Sequence, residues 1–330
     1  MYYTLTSPCG TTVSVQDQGA GVHRVSVPDR SGCFSNIALS PCARGQNPSD
    51  TAYAGLTLGP SAGRIPESWL LINGQRQTLP PNEGTHHLHG GAAGLSGKRW
   101  QCVGADKGAV RFVCDVEAGA DGYPGNRHFI TDYSLSAQGS LTIRLRCETD
   151  APTWVNLSNH LYWNLSGDFT ATVADHRLWL GATRALWNDG EHIPQACRPV
   201  AGTALDFTAE ATLGDRLGLP EPQLTNARGF NTLYLLRSPG MQQPAARLSH
   251  PASGRSLRLF TDLPAAMLYS GGFLHAGIAL EGGGAAHPGC ALALEPQLLP
   301  ITPSAREASE VTTPEHPYDH RITYAFDTEA

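Results

Sequence analysis

Apolar and polar side chains alternate without a break in Leu141-Thr142-Ile143-Arg144-Leu145-Arg146-Cys147. Neighbouring side chains of a β-strand point to opposite faces, so this period of two indicates a strand with one buried and one solvated face. The same alternation recurs at 110–117, 256–259 and 322–327. We therefore expect half-buried strands along the whole chain.

Glycine and proline supply 36 and 24 of the 330 residues, which leaves little room for long helices. The segment His250-Pro-Ala-Ser-Gly254 has the composition of a hairpin loop between two strands. The best helical candidate is Ser304–Val311, which Ser304 could cap because Glu307 follows three residues later. The sequence therefore predicts an all-β fold, a large antiparallel β-sandwich with very little helix, in one domain spanning 1–330.

The charge and hydropathy patterns argue against two classes of partner. The formal net charge is −6 and the chain has no run of Lys and Arg, so nucleic acid is not an expected partner. No apolar run approaches the roughly 18 residues of a membrane span, and the N-terminus lacks the basic and apolar blocks of a signal peptide. We expect a cytoplasmic protein that contacts no membrane.

The cysteines show no Cys-x-x-Cys spacing, and a chain of this length needs no covalent crosslinks to fold. We expect them to be reduced and mostly buried, and no local feature supports a cysteine nucleophile. The eight are Cys9, Cys33, Cys42, Cys102, Cys114, Cys147, Cys197 and Cys290.

An Asn-His pair lies inside an aromatic, strand-forming segment, Asn156-Leu-Ser-Asn-His160-Leu-Tyr-Trp-Asn-Leu165. This pattern predicts a buried histidine in a polar setting. A buried histidine is by itself typical of a satisfied core residue, so the role of His160 depends on the groups that the fold brings to it.

Three further segments carry residues of catalytic or binding type. In a strand, His87 and His89 of His86-His-Leu-His89-Gly-Gly91 would share a face, a possible metal-ligand spacing, but no third or fourth ligand follows from spacing. Glu295 follows the apolar run 290–294 and is either paired in the core or solvated in a loop. Arg64, in a glycine-rich turn, could bind a polar ligand or lie in solvent.

Together these segments resemble the aldose 1-epimerase, or galactose mutarotase, family over nearly the whole chain. The motifs are degenerate singly, and their shared order carries the resemblance. They are Gly59-Pro-Ser-Ala-Gly-Arg64-Ile, His86-His-Leu-His89-Gly-Gly, Asp121-Gly-Tyr-Pro-Gly-Asn126, Asn156 to Leu165, Gly202-Thr-Ala-Leu-Asp-Phe207, Arg228-Gly-Phe-Asn231 and Leu294-Glu295-Pro-Gln297.

The resemblance implies a β-sandwich that binds a free monosaccharide on an open concave face without a cofactor or metal. It implies that His160 is the catalytic acid, that Glu295 is the base, and that Arg64 and His89 bind the sugar. Mutarotation needs only these two proton transfers, one from the anomeric hydroxyl and one to the ring oxygen. We expect an ionised Glu295 beside a protonated His160, with two ionisations controlling the rate across roughly pH 4 to 8.

Three substrate-facing positions depart from the family pattern. Gly63 stands where Asn is usual, Asn231 where Asp is usual, and Met267 where Gln is common. Each lost hydrogen bond to a charged group weakens recognition by roughly 1.5 to 3 kcal/mol. We therefore expect a sugar other than galactose or glucose, namely a pentose, a deoxysugar or a uronate, because Met267 suits an absent hydroxyl and Asn231 would not repel an acid. Drift within an ordinary mutarotase is the alternative.

Other functions stay open at this level. A sugar-binding protein without turnover would not need both His160 and Glu295. A sugar-phosphate epimerase would need several arginines beside the site, for which Arg64, Lys98, Arg99 and Arg127 are available. A metal-dependent isomerase would use His87 and His89. The oligomeric state is not predicted.

Overall fold

The structure is a computed structural model, and it describes residues 1–42 and 47–329. Strands hold 45% of the chain and helices 7%, which confirms the predicted all-β class. Among the described residues, no helix is both long enough and apolar enough to pass through a membrane.

The described residues form twenty-five strands, two short α-helices and four 3₁₀ turns. The strands of the first half are β1 (Tyr2–Thr6), β2 (Thr12–Gln16), β3 (Gly21–Pro28), β4 (Phe34–Asn36), β5 (Thr57–Leu58), β6 (Arg64–Ile65), β7 (Trp69–Ile72), β8 (Gln75–Thr78), β9 (His87–Leu88), β10 (Gln101–Ala105), β11 (Ala109–Val116), β12 (Arg127–Leu135) and β13 (Leu141–Thr149). The strands of the second half are β14 (Ser158–Asn159), β15 (Tyr162–Trp163), β16 (Arg177–Leu180), β17 (Ala182–Asn188), β18 (Pro194–Pro199), β19 (Ala211–Thr212), β20 (Asn231–Leu236), β21 (Ala246–Ser249), β22 (Arg255–Thr261), β23 (Ala265–Tyr269), β24 (Leu292–Gln297) and β25 (Tyr318–Thr328). The helices are α1 (Leu213–Leu217) and α2 (Pro222–Ala227), and the 3₁₀ turns are Pro48–Thr51, Pro66–Ser68, Leu95–Gly97 and Val173–Asp175.

The strands predicted from alternation lie together in one antiparallel sheet. Its nine strands run in the order β10-β11-β12-β13-β25-β22-β21-β16-β19. In β13 every second residue from Leu141 to Cys147 is buried. The hairpin predicted at 250–254 is confirmed, since it joins β21 to β22. Alternation of side chains was therefore enough to locate this layer.

A second, six-stranded antiparallel sheet has the order β15-β24-β23-β20-β17-β18. Its inner face packs on the nine-stranded sheet, where the rings of Trp163 and Tyr324 lie 4.8 Å apart. Leu292 and Leu294 of β24 belong to this shared core, so Ala293 and Glu295 point to the other face. The sandwich therefore presents Glu295 on the outer face of its smaller sheet.

The predicted helix at Ser304–Val311 is wrong. This segment pairs with β7: the Leu71 N–H donates to the Arg306 carbonyl, and the Ala308 N–H donates to the Leu71 carbonyl. Two tertiary hydrogen bonds thus replace the helical ones. The observed α2 has a different sequence signal, Pro222 at its first position behind the capping side chain of Glu221.

The eight cysteines are unpaired, but the prediction that most are buried is wrong. Cys114, Cys147 and Cys290 are buried, while the other five are at least partly exposed. Small residues in turns and edge strands reach solvent even when they are apolar.

Candidate active site

Strand register brings His160 and Glu295 together. In the antiparallel pairing of β15 with β24, Tyr162 stands opposite Ala293. Continuing this register by two residues places His160 opposite Glu295, and the His160 Nε2 atom lies 3.6 Å from the Glu295 Oε1 atom. Both residues are buried, with 5% and 3% of their surface exposed. A separation of 135 positions in sequence is therefore closed by a single strand pairing.

The polar residues around His160 fix this arrangement. The Ser158 hydroxyl donates to the Pro296 carbonyl at 2.8 Å, and the Asn156 side chain accepts from the Leu298 N–H at 2.8 Å. These two bonds tie the histidine segment to the strand that carries Glu295. The Asn156–His160 segment is therefore hydrogen-bonded to β24 and to the residue that follows it.

Burial sets the charge of the pair. Loss of solvent lowers the pKa of His160 from 6.5 to about 3, and it raises the pKa of Glu295 from 4.5 to about 8. Both shifts favour a neutral His160 and a protonated Glu295 near pH 7, in contrast to the ion pair expected from the sequence. The two ionisations bound a window from about pH 3 to about pH 8, wider than the range expected from the sequence.

Aromatic rings surround His160. The Tyr162 ring stacks on it at 4.6 Å, and the Tyr269 ring meets it edge-on at 6.3 Å. The His160 Nδ1 atom is buried and has no hydrogen-bond partner within the described part of the chain. An imidazole in this setting has its position fixed by packing, which leaves its nitrogen atoms available to a ligand.

The pair lies in a cavity of about 470 Å³ that contains every residue predicted for the site. This volume is within the range of small-molecule sites. Sequence reasoning missed much of the wall, because most of its residues occur singly in loops. The lining residues are Ser49, Ala52, Tyr53, Gly63, Arg64, Asn82, Glu83, Leu88, His89, His160, Tyr162, His192, Asn231, Met267, Tyr269, Phe273, His275, Glu295 and Gln297.

His87 and His89 do not form the predicted shared face. β9 ends at Leu88, and His89 has a positive φ of 53°, which turns its side chain into the cavity. The His89 Nδ1 atom accepts from the Gly63 N–H at 3.2 Å. The His87 Nδ1 atom lies 2.7 Å from the Pro80 carbonyl, outside the cavity. The two imidazole rings therefore lie in different environments, that of His89 in the cavity wall and that of His87 outside the cavity.

Arg64 is paired within the cavity wall. Its guanidinium makes two parallel hydrogen bonds to the Glu83 carboxylate, through Nε to Oε2 and through Nη2 to Oε1 at 2.8 Å. Nothing in the sequence pattern indicates Glu83, which lies 19 residues further along. The ion pair holds the guanidinium in one orientation and cancels its charge toward a ligand.

With this geometry established, comparison with known proteins identifies the family. The family model for aldose 1-epimerase matches residues 1–325. The chain belongs to the aldose 1-epimerase family. Its members named aldose 1-epimerase and galactose mutarotase are isomerases.

Several relatives match over most of their length. The aldose 1-epimerase of Escherichia coli K12 is 31% identical over 307 residues, 92% of this chain and 88% of that protein. Human galactose mutarotase is 29% identical over 316 residues, 95% of this chain and 90% of that protein. The crystal structure of an aldose epimerase homologue from Caenorhabditis elegans covers 100% of this chain and 99% of its own, with a TM-score of 0.89 at 27% identity.

Gly63, Asn231 and Met267, the three positions expected to depart from the family pattern, lie on the cavity wall. Met267 stands directly opposite Glu295 on the neighbouring strand, and Leu233 stands opposite Met267 on the next. A Cβ atom added to Gly63 would lie 3.8 Å from the Gln297 amide oxygen. Asn231 is half-buried at the start of β20. One row of side chains therefore runs from His160 through Glu295 to Met267 and then into an apolar cluster.

The other basic residues weighed for a phosphate site do not converge on this aldose 1-epimerase cavity. Arg127 is buried in an ion pair with Asp121 at 2.8 Å, and Arg99 lies 3.8 Å from Asp17. Lys98 is also absent from the lining. Arg64, itself paired, is thus the cavity's one guanidinium among residues 1–42 and 47–329.

A cluster outside the cavity combines a carboxylate with two histidines, Asp175, His176 and His250. The His176 Nε2 atom accepts from the Leu165 N–H at 2.9 Å, and the His250 Nδ1 atom accepts from the Ser253 N–H at 3.2 Å. Both rings must therefore carry their proton on the nitrogen that faces Asp175. Donation to Asp175 at 3.0 Å uses those protons, so the cluster fits a structural role better than a metal site.

Proposed function

We propose that this member of the aldose 1-epimerase family interconverts the α and β anomers of a free monosaccharide and needs no cofactor. One observation carries the proposal, the buried pair of His160 and Glu295 at 3.6 Å on the wall of an open cavity. Burying two titratable groups is costly for folding, and binding alone gains nothing from it. The pair therefore argues for turnover over simple sugar binding.

The proposed chemistry uses the pair's one proton. When a sugar binds, its hydroxyl groups supply hydrogen bonds that compensate for lost solvent, so the proton can move from Glu295 to His160. The Glu295 carboxylate then removes the proton of the anomeric hydroxyl while His160 donates its proton to the ring oxygen. The bond between C1 and the ring oxygen breaks and leaves the aldehyde. After rotation about C1–C2, the two groups exchange roles and close the ring on the other face.

We further propose that the sugar is neutral. The Arg64 guanidinium already binds Glu83 through two hydrogen bonds, so it offers no net positive charge to an acidic sugar. The Glu83 carboxylate would repel a uronate or a phosphate at short range. A pentose or a deoxysugar therefore fits better than a uronate, and the sugar-phosphate alternative has no observation in its favour.

Geometry also suggests which hydroxyl is absent. In the proposed pose His160 contacts the ring oxygen and Glu295 contacts the anomeric hydroxyl. The carbon bonded to C1, which is C2, then lies on the side of Glu295 away from His160. Met267 occupies that side, one strand beyond Glu295. An apolar side chain leaves a hydroxyl at this place without a partner. We propose that 2-deoxyaldoses are preferred.

The test is anomer exchange measured by NMR or polarimetry across matched 2-hydroxy and 2-deoxy sugars, pentoses and uronates. Glu295→Gln should abolish the acceleration, while Glu148→Gln, a matched change at an exposed carboxylate, should retain it. Saturable binding without acceleration for every sugar would refute the proposed turnover. Equal turnover of 2-hydroxy and 2-deoxy sugars would refute only the substrate preference.

A further inference from the structure

The strand that follows His160 is very short. β15 contributes only Tyr162 and Trp163 to the end of the six-stranded sheet, where they pair with β24. The distance between His160 and Glu295 depends on this register, because a slip of one residue turns alternate side chains to the other face. The bond that Ser158 makes to β24 fixes the chain before His160. The chain after Trp163 therefore needs a fixed point of its own.

Leu165, two residues after β15, is held through both of its backbone groups. Its N–H donates to the His176 Nε2 atom at 2.9 Å. Its carbonyl accepts from the Ser253 hydroxyl at 3.0 Å and from the Arg255 Nη1 atom at 3.1 Å. Leu165 and His176 have none of their surface exposed, and Arg255 has 2%. Water cannot replace these three bonds, which together form the Leu165 anchor, so the loss of one is costly.

Asp175 and two histidines orient the groups of the Leu165 anchor. One oxygen of the Asp175 carboxylate accepts from the His176 Nδ1 atom and the other from the His250 Nε2 atom, each at 3.0 Å. Because Asp175 takes the Nδ1 proton of His176, the Nε2 lone pair is left to accept the Leu165 N–H. The His250 Nδ1 atom accepts the Ser253 N–H and so places the serine hydroxyl that reaches the Leu165 carbonyl. One carboxylate therefore orients both a donor and an acceptor.

The same cluster connects the end of β15 to the nine-stranded sheet. His176 immediately precedes β16 and His250 immediately follows β21, which are neighbouring strands of that sheet. The residue before the anchor, Asn164, donates from its side chain to the Cys290 carbonyl at 2.8 Å, two residues before β24 begins. The end of the His160 segment is thus fixed to the large sheet by the cluster and to β24 by Asn164.

We propose that Asp175, His176 and His250 are positioning residues, which hold β15 in register so that His160 stays opposite Glu295. This role rests on the proposed function, since it matters only if that pair carries out anomer exchange. None of the three residues lines the cavity, so they act on the reaction only through the strand. The proposed sugar-binding groups lie on other elements, so the cluster should affect kcat more than KM.

Two substitutions at His176 separate its acceptor from its donor. A glutamine oxygen can take the place of Nε2 and accept the Leu165 N–H, whereas an asparagine reaches only the place of Nδ1 and keeps the bond to Asp175. His176→Asn should therefore lower kcat by about tenfold with KM changed by less than about twofold, and His176→Gln should retain most of the activity. His128→Asn, the same change at a partly exposed histidine outside the cavity, should alter neither constant.

Hydrogen exchange of the Leu165 amide, followed by NMR, measures the anchor independently of turnover. Exchange should be faster in His176→Asn than in the wild type and near the wild-type rate in His176→Gln. The bonds of β15 to residues 37–39 remain in these variants and keep the strand in the sheet. Ser253→Ala removes a donor to the Leu165 carbonyl, leaves both histidines in place and should lower kcat by about threefold. It keeps the test available if His176→Asn does not fold.

Unchanged kcat in both His176→Asn and Ser253→Ala would overturn the inference, as would an equal loss in His176→Asn and His176→Gln. A rise in KM without a fall in kcat would overturn it as well. If the wild type turns over no sugar, the proposed function fails on its own evidence. The Leu165 anchor is then supported by faster amide exchange in His176→Asn alone and overturned by unchanged exchange.

Discussion

Replacing Glu295 with Gln should make the protein more stable while it destroys activity. The wild-type carboxyl has a pKa of about 8 in the folded chain against 4.5 in its ordinary state. Below pH 4.5 the carboxyl is protonated in both states and stability does not depend on it. Between the two values the unfolded chain releases a proton that the folded chain retains, so rising pH favours unfolding. Above pH 8 the folded chain bears the full free-energy cost of burying the ionised Glu295 carboxylate.

The magnitude follows from the two pKa values. Each pH unit between them costs about 1.4 kcal/mol of unfolding free energy, so the cost reaches at most about 5 kcal/mol above pH 8. Water entering the open cavity lowers this figure, because it solvates the carboxylate. A neutral glutamine of the same shape carries no such cost. The stability gain of Glu295→Gln should therefore be about 1 kcal/mol at pH 5.5 and larger by about 3 kcal/mol at pH 8.5.

Urea denaturation of the wild type, Glu295→Gln and Glu148→Gln at these two pH values measures the effect. Other pH-dependent groups occur in all three proteins and cancel in the differences. The exposed control should show no gain that grows with pH. A difference between Glu295→Gln and the wild type that is constant across pH, or that shrinks as pH rises, would refute the reasoning about burial.

Three further predictions concern pH, specificity and stability. The kcat/KM for anomer exchange should stay level from about pH 3 upward, over the pH range in which the protein is folded. It should fall above about pH 8, where Glu295 loses the proton that the proposed reaction uses. A fall beginning near pH 6 would contradict these pKa values. Met267→Gln should raise kcat/KM for 2-hydroxy sugars relative to 2-deoxy sugars by about tenfold, and an unchanged ratio in the NMR assay would count against the place given to C2. His320, whose pKa is raised to about 9 by hydrogen bonds to Asp262 and Glu310, stabilises the fold below pH 6.5 and loses this contribution as pH rises through 9. His320→Gln should therefore cost up to about 3 kcal/mol in urea unfolding at pH 6 and little at pH 10, whereas an equal cost at both would exclude the ionic explanation.

Sequence reasoning predicted those features that depend on local pattern. The alternation at 141–147 was sufficient for a strand, because burial of one face acts on every second side chain. His160 and Glu295 were found as a pair through the order of motifs along the chain, with no information on their distance. The predicted helix at Ser304–Val311 failed because Leu71, more than 230 positions away, offers hydrogen bonds that a local capping signal does not reveal.

Charge was the least predictable property of the site. The residue types at 160 and 295 suggest an ion pair, but their pKa values depend on how completely the surrounding sheet excludes solvent. Glu83 was missed for a related reason, since its pairing with Arg64 arises only when β6 and β9 lie side by side. His87 and His89 were predicted to share a face, and the positive φ of His89 separates them.

The row of side chains across the smaller sheet has an evolutionary consequence. His160 and Glu295 depend on one strand pairing, so a shift of either strand by one residue would point its reactive group into the core. Met267 and Asn231 belong to strands farther along the same sheet, where a single substitution changes a side chain without moving the pair. Under the proposed function, selection could therefore change the preferred sugar by point mutation while the proposed acid and base stay in place, whereas insertions in β15 or β24 should be rejected. The same sheet would retain its reaction while the sugar that it recognises changes.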